Sequence, residues 1–453
     1  MQDDEANRFS ARASRYARLG VSAGAFAARM ASNRVTGARG GDAQALARSL
    51  GSLKGPLMKV AQMMATIPEA LPADYAEELM KLQSQAPPMG AAFVKRRMQA
   101  ELGVDWRRRF AEFDLAPAAA ASLGQVHRAT SLGGERLACK LQYPDMASTV
   151  EADLVQLDLL FSIHRRMGPA IDTREIAREI GARVREELDY SREAKLARLY
   201  QAMLAGRPLV RVPRIFGELS TRRLLTMEWL DGDKLMDFED APADARNTVA
   251  MALFDAWWRP FSHFGIIHGD PHLGNYSVVS TGQGDSRRVE GVNLFDYGCI
   301  RIFPASFVGG VVELYEGLKF SDETRVVHAY EIWGFKNLSR ETIAALNIWA
   351  RFIYGPLVED RVRTIADGVK PGEYGRREAF AVARALKAQG PLKVPREFVF
   401  MDRAAIGLGG AFLRLRAELN FHRLFEEAIE GFKVEEIAAR QKAALDAVGL
   451  EAA

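Results

Sequence analysis

The segment HGDPHLGN, residues 268–275, gathers two histidines, an aspartate, an asparagine, a proline and two glycines. Asp270 and Asn275 stand five apart, and LFDYG (294–298) adds Asp296 after a short apolar run. These residue types suit phosphoryl transfer. One carboxylate, Asp270, acts as base or orients the attacking oxygen. An amide oxygen, from Asn275, and a second carboxylate, Asp296, hold Mg²⁺ on the phosphates. A rival reading makes His268, Asp270 and His272 a metal site, but no further His or Cys cluster completes such a shell. On the phosphoryl reading His268 braces the loop, and Pro271 and Gly274 shape it.

D-x4-N followed by D-aromatic-G is also the spacing of the catalytic and metal loops of protein kinases. That pattern makes demands upstream. A phosphate-covering loop should precede a strand lysine, and AAASLGQV (119–126) matches with alanine where two glycines are usual: Ala119, Ala120, Ala121, Ser122, Gly124 and Val126. Lys140 in LACKLQYP is placed to meet the α- and β-phosphates. Its carboxylate partner is expected on one helix over REELDYSREAKLA (185–197), where Glu187 and Glu193 lie about 120° apart; Glu193 is favoured for Lys140. LLTMEWLDG (224–232) is expected to be the hinge, with Met227 near the adenine and the backbone of Glu228–Trp229 bonding it.

The elements that would position these groups follow from pattern. LGGERLACKLQYP (132–144) reads as a hairpin, 174–203 as a long helical stretch, and 211–232 as two strands around a polar turn. From Ala241 onward the pattern is mainly helical, interrupted over 265–304. A β-rich region followed by a helical one predicts an α+β, bilobal chain with a cleft. The expected organisation is a basic segment 1–44, a helical extension 45–110, an N-lobe 111–232 and a C-lobe 233–453.

The 453 residues are 48% hydrophobic and 26% charged with a net charge of +3, a composition with ample core material and too little positive charge to argue for nucleic acid. Two cysteines, Cys139 and Cys299, make no disulfide framework or zinc site and fit a reducing compartment; both are read as small buried hydrophobes. No apolar run approaches about 18 residues, and the start carries no secretory core. Arginines recur between Arg8 and Arg39 among Ala, Phe, Tyr and Leu, a stretch read as a solvated helix or as a basic amphipathic face for an anionic membrane.

Taken together, these motifs resemble the UbiB-like, or AarF-domain, atypical kinase family over roughly residues 45–420. LMKVAQMM (57–64) matches its K-x-G-Q helix at Lys59 and Gln62, with Ala61 in the glycine's place, and LPADYAEELMKLQSQAPP (71–88) resembles the segment that follows. Gly269 stands where alanine is usual, and Tyr297 replaces phenylalanine, leaving a hydroxyl that needs a partner if buried. The tail VEEIAARQKAALDAVGLEAA (434–453) reads as helical, so the C-terminal hydrophobic anchor of some members is not expected.

The resemblance implies a protein-kinase-like fold binding ATP or ADP with Mg²⁺. It also implies a helix folded over the acceptor side, with Lys59 reaching a second glutamate, Glu187. The activity implied is an ATPase tied to ubiquinone or other isoprenoid-lipid biosynthesis. Expected partners are an isoprenoid quinone intermediate, an anionic membrane surface or a lipid-biosynthesis protein complex. The expected location is cytoplasmic or peripheral on the inner membrane face. A genuine phosphotransferase acting on a protein or small molecule is the alternative.

Overall fold

A computed structural model describes residues 89–121, 123–151, 154–155, 174–370, 375–387, 395 and 397–451. The basic segment, the K-x-x-Q helix with Lys59 and Gln62, and Ser122 lie outside the described residues. The fold is mixed helix and sheet, and the chain divides into two compact units. Among the described residues, the first takes 89–155, 174–190 and 218–226, and the second takes 191–217 and everything from 227 onward.

The first unit opens with helix α1 (Ala91–Leu102), which buries Val94, Met98 and Leu102. Strands β1 (Phe110–Ala121), β2 (Gly124–Ser131) and β3 (Arg136–Gln142) follow as an antiparallel meander, and the hairpin read at 132–144 is the β2–β3 turn. Alanines 119–121 are therefore strand residues. Their register sets Ala121 opposite Gly124 and Ala119 opposite Val126, while Val126 faces Lys140 across the next pair. Gly124 is required by close approach: a Cβ there would stand 2.2 Å from the Leu141 carbonyl oxygen.

The single helix expected over 185–197 is two helices, which corrects the placement of Glu187 and Glu193 about 120° apart. Helix α2 (Arg174–Glu186) ends, residues 187–189 turn, and α3 (Tyr190–Met203) begins. The N–H groups of Leu188 and Asp189 bond back three residues to Arg185 and Glu186. The Tyr190 N–H leaves the helix pattern for the Arg222 carbonyl at 3.0 Å. Aspartate readily leaves a helix interior for such a turn. Around residues 211–232 the two strands are β4 (Val210–Arg211) and β5 (Leu224–Glu228). They join different sheets, β5 beside β3 and β4 beside a later strand.

In the second unit, β6 (Asp233–Lys234) leads into α4 (Ala243–Phe264), whose apolar residues Val249, Leu253, Trp257 and Phe261 lie in the core. Then come β7 (Ile266–His268), β8 (Tyr276–Thr281), β9 (Arg288–Leu294) and β10 (Ile300–Ile302). Strands β4, β9, β8 and β6 form one sheet in that order, and β7 pairs with β10. The rest of the described chain is helical: α5 (Ala305–Lys319), α6 (Glu323–Ile332), α7 (Arg340–Val358), α8 (Arg376–Lys387), α9 (Phe398–Arg414), α10 (Phe421–Ile429) and α11 (Val434–Val448). No helix among the described residues is long and apolar enough to cross a membrane.

Candidate functional site

The loop 268–275 leaves β7 and returns through β8, and two hydrogen bonds tie it to the segment carrying Asp296. His268 Nε2 bonds the Asp296 backbone carbonyl, and the Phe295 N–H donates to the Asn275 carbonyl at 3.1 Å. A carbonyl only accepts, so Nε2 carries the proton. Nδ1 then accepts the Asp270 N–H at 3.2 Å. With both ring nitrogens so engaged, His268 is a brace, and the His-Asp-His metal reading has lost its first ligand. His272 likewise accepts the Gly274 N–H on Nδ1 at 3.1 Å. Among the described residues no group of three His, Cys, Asp or Glu side chains is arranged to hold a metal.

The β8–β9 register, with Tyr276 opposite Leu294, sets Asn275 and Asp296 just beyond the paired ends. The Asn275 amide nitrogen donates to the Asp270 carbonyl at 3.2 Å, so of its two amide ends the oxygen is the one that could face a cation. Asp296 Oδ1 accepts the Gly298 N–H at 3.0 Å. An amide oxygen beside a carboxylate is the hard oxygen chemistry that suits Mg²⁺. Tyr297 is fully buried, and its hydroxyl donates to the Leu294 carbonyl at 2.9 Å, so the polar group foreseen from the sequence is satisfied. Burial holds that hydroxyl well above the usual tyrosine range.

Asp270 is buried, and its Oδ1 accepts from Arg403 Nη2 at 2.7 Å. Arg403 comes from α9, one turn before Gly407, whose backbone packs directly on Pro271. Sequence reasoning missed this arginine; the only local signal was the four-residue spacing that sets Arg403 and Gly407 on one helix face. Its neighbour Asp402 accepts from Trp349 Nε1 at 3.0 Å, and burial pushes its carboxyl up to about 7.

In the first unit Lys140 is buried, with Nζ 5.1 Å from the centre of the Tyr190 ring, a cation–π distance. Glu187 is buried in that same unit. Glu193 belongs to the second unit, where its Oε1 accepts the Tyr297 N–H at 3.4 Å, directly after Asp296. Met227 is buried, and the Glu228 N–H donates to the Arg214 carbonyl at 2.8 Å, so that donor is already engaged. The Trp229 indole N–H donates to Asp231. Cys139 and Cys299 are both buried and free, and burial pushes the Cys139 thiol up to about 12.

The family model described as the ABC1 atypical kinase-like domain matches residues 81–330. The AarF domain-containing protein kinase 1 of Xenopus laevis is 29% identical over 275 residues, 60% of this chain and 52% of that protein. The mitochondrial atypical kinase COQ8 of Saccharomyces cerevisiae is 28% identical over 257 residues, 56% of this chain and 50% of that protein. The chain thus spans about half the length of these relatives. Among solved structures, an Rv3197–erythromycin complex from Mycobacterium tuberculosis aligns with a TM-score of 0.58 at 24% identity, covering 84% of this chain and 93% of that one.

Proposed function

This chain belongs to the ABC1 atypical kinase-like family, and on that premise we propose that it binds a magnesium–adenine nucleotide and hydrolyses it slowly in support of ubiquinone or related isoprenoid-lipid biosynthesis. The observation that carries the reading is the assembly of Asp270, Asn275 and Asp296, tied together by the His268 bond to the Asp296 carbonyl and the Phe295 bond to Asn275.

Asn275 and Asp296 are the assigned holders of Mg²⁺, which when bound neutralises phosphate charge and orients the phosphates. Asp270 orients the attacking water. Lys140, with Glu193 as its assigned partner, takes the α- and β-phosphates. The strand residues Ala119–Ala121, with Ser122, Gly124 and Val126, cover them. Met227 and the backbone at Glu228–Trp229 are assigned to the adenine. Lys59, Gln62 and Glu187 are assigned to suppression of protein phosphorylation.

The lipid part of the reading has its own support. Phe93 is 48% and Val104 76% exposed, and they stand among the exposed side chains of Lys95, Arg96, Arg107, Arg108 and Arg109. Of the nearby acids, Glu101 is withdrawn, held by Arg223 at 2.7 Å and Arg97 at 3.8 Å, and the exposed Asp105 lies 4.0 Å from Arg108, leaving the cations in excess. Cations mixed with exposed apolar side chains fit an anionic membrane surface. A quinone intermediate or a lipid-biosynthesis complex at that surface completes the proposal.

The test is nucleotide titration with and without Mg²⁺ on the wild-type protein and on Asp296→Asn. Binding that Mg²⁺ strengthens in the wild type and not in the variant supports the assignment. Unchanged Mg²⁺-dependent binding in Asp296→Asn places the metal elsewhere and removes the reading.

A further inference from the structure

The loop HGDPHLGN contains no lysine or arginine. Phosphoryl transfer spreads negative charge over three equatorial oxygens and is strongly helped by a cation at the transferring group. One is supplied here from far along the chain. Arg403 is 8% exposed, and its Nη2 reaches Asp270 Oδ1 at 2.7 Å. Its other terminal nitrogen, Nη1, is buried with no hydrogen-bond partner among the described residues. A guanidinium is a planar fork whose two ends are normally both used when water is excluded. A buried charged donor left without an acceptor is costly enough that its presence calls for an explanation. The acceptor it is built for is an oxyanion lying next to the Asp270 carboxylate.

We propose that Arg403 is a catalytic residue whose Nη1 donates to an oxygen of the nucleotide's γ-phosphoryl group while Nη2 holds Asp270. The inference rests on the nucleotide reading above and adds to it the group that stabilises the transferring phosphoryl. Asp270 aligns a water. The water oxygen bonds to the γ-phosphorus as the bond from phosphorus to the β–γ bridging oxygen breaks. ADP departs with that electron pair, and the proton lost by the water passes through Asp270 to solvent. Helix α9 brings Arg403 to the loop from far along the chain. Gly407, one turn further along that helix, lets the backbone seat against Pro271.

The experiment compares MgATP and MgADP affinity, and phosphate release, in wild type, Arg403→Ala and Arg403→Lys. ADP lacks the γ-phosphoryl group, so a γ-contact must separate the two nucleotides. The expected result is MgATP affinity lowered at least about tenfold with MgADP affinity within about twofold. Phosphate release should fall by about 10³-fold, the low end for a transition-state arginine. Added guanidinium should restore part of the release in Arg403→Ala and none in Arg403→Lys. If removing the buried cation prevents folding, Arg403→Lys keeps the charge and still reads the nucleotide ratio. Affinities for both nucleotides that fall together, or that both stay unchanged, overturn the γ-contact and leave Arg403 a loop-positioning residue. A wild-type protein that binds neither nucleotide sinks the parent reading instead, before any variant is made.

Discussion

Replacing Gly407 by alanine puts a methyl group where Pro271 already stands. The added Cβ would lie 2.0 Å from Pro271 Cγ and 2.6 Å from its Cβ. Ordinary carbon contacts begin near 3.4 Å, so ring and helix must separate by about 1.4 Å. A pyrrolidine ring cannot swing aside, because it is closed onto its own backbone nitrogen. The movement is therefore taken by the loop or by α9. Two terms oppose. Alanine gains about 1 kcal/mol over glycine inside a helix. Overpacking costs about 1–3 kcal/mol, and a rigid partner puts this site at the upper end. The net loss is about 2 kcal/mol, read as a lower denaturation midpoint at unchanged slope. Because the displaced loop carries Asp270, and a misplacement of about 1 Å can cost on the order of 10² in rate, phosphate release should fall by about that factor. Gly181→Ala is the control: it lies within α2, its added Cβ would meet nothing nearer than 3.5 Å, and it should stabilise by about 0.5–1 kcal/mol. A Gly407→Ala protein at least as stable as wild type, with phosphate release within twofold, would refute the seat of α9 on the loop.

Ala121→Gly, opposite Gly124 at the strand turn, should shift the ADP-to-ATP preference and permit some autophosphorylation; radiolabel transfer and competition titrations with no change in either count against an alanine role. Asp402 has its carboxyl raised to about 7, so the folded protein holds a proton that the unfolded chain has released above about pH 4. Its contribution to stability therefore declines as pH rises from about 4 to about 7, and Asp402→Asn should flatten that slope in denaturation series taken across the window. Lys59→Ala should change basal phosphate release or reveal autophosphorylation with the fold intact; identical turnover and no label incorporation speak for a solvent-facing lysine.

Different parts of this molecule were unequally legible in its sequence. The β2–β3 hairpin could be read because hairpin register is local, set by a turn and an alternation within about twenty residues. The juxtaposition of Asn275 and Asp296 was legible for a similar reason: one β-hairpin brings them together. The break at 187–189 was not, because the acceptor that draws the Tyr190 N–H away is Arg222, on a later turn. Arg403 was invisible for the same cause at longer range. Nothing in DRAAIGLGG says that its helix ends up beside Asp270. The angular placement of Glu187 and Glu193 suffered from an unbroken helical pattern, which angular arithmetic treats as one rigid cylinder.

The ion pair between Asp270 and Arg403 joins residues 133 positions apart. A ribosome adds about 5–20 residues per second, so the aspartate is made roughly 7–27 s before its arginine exists. Once Asp296 has been made, and until residue 403 is reached, a growing chain holds the whole HGDPHLGN loop and the Asp296 segment with neither Arg403 nor the Gly407 seat in place. The loop is thus finished early in synthesis and locked late, when α9 supplies the partner of Asp270.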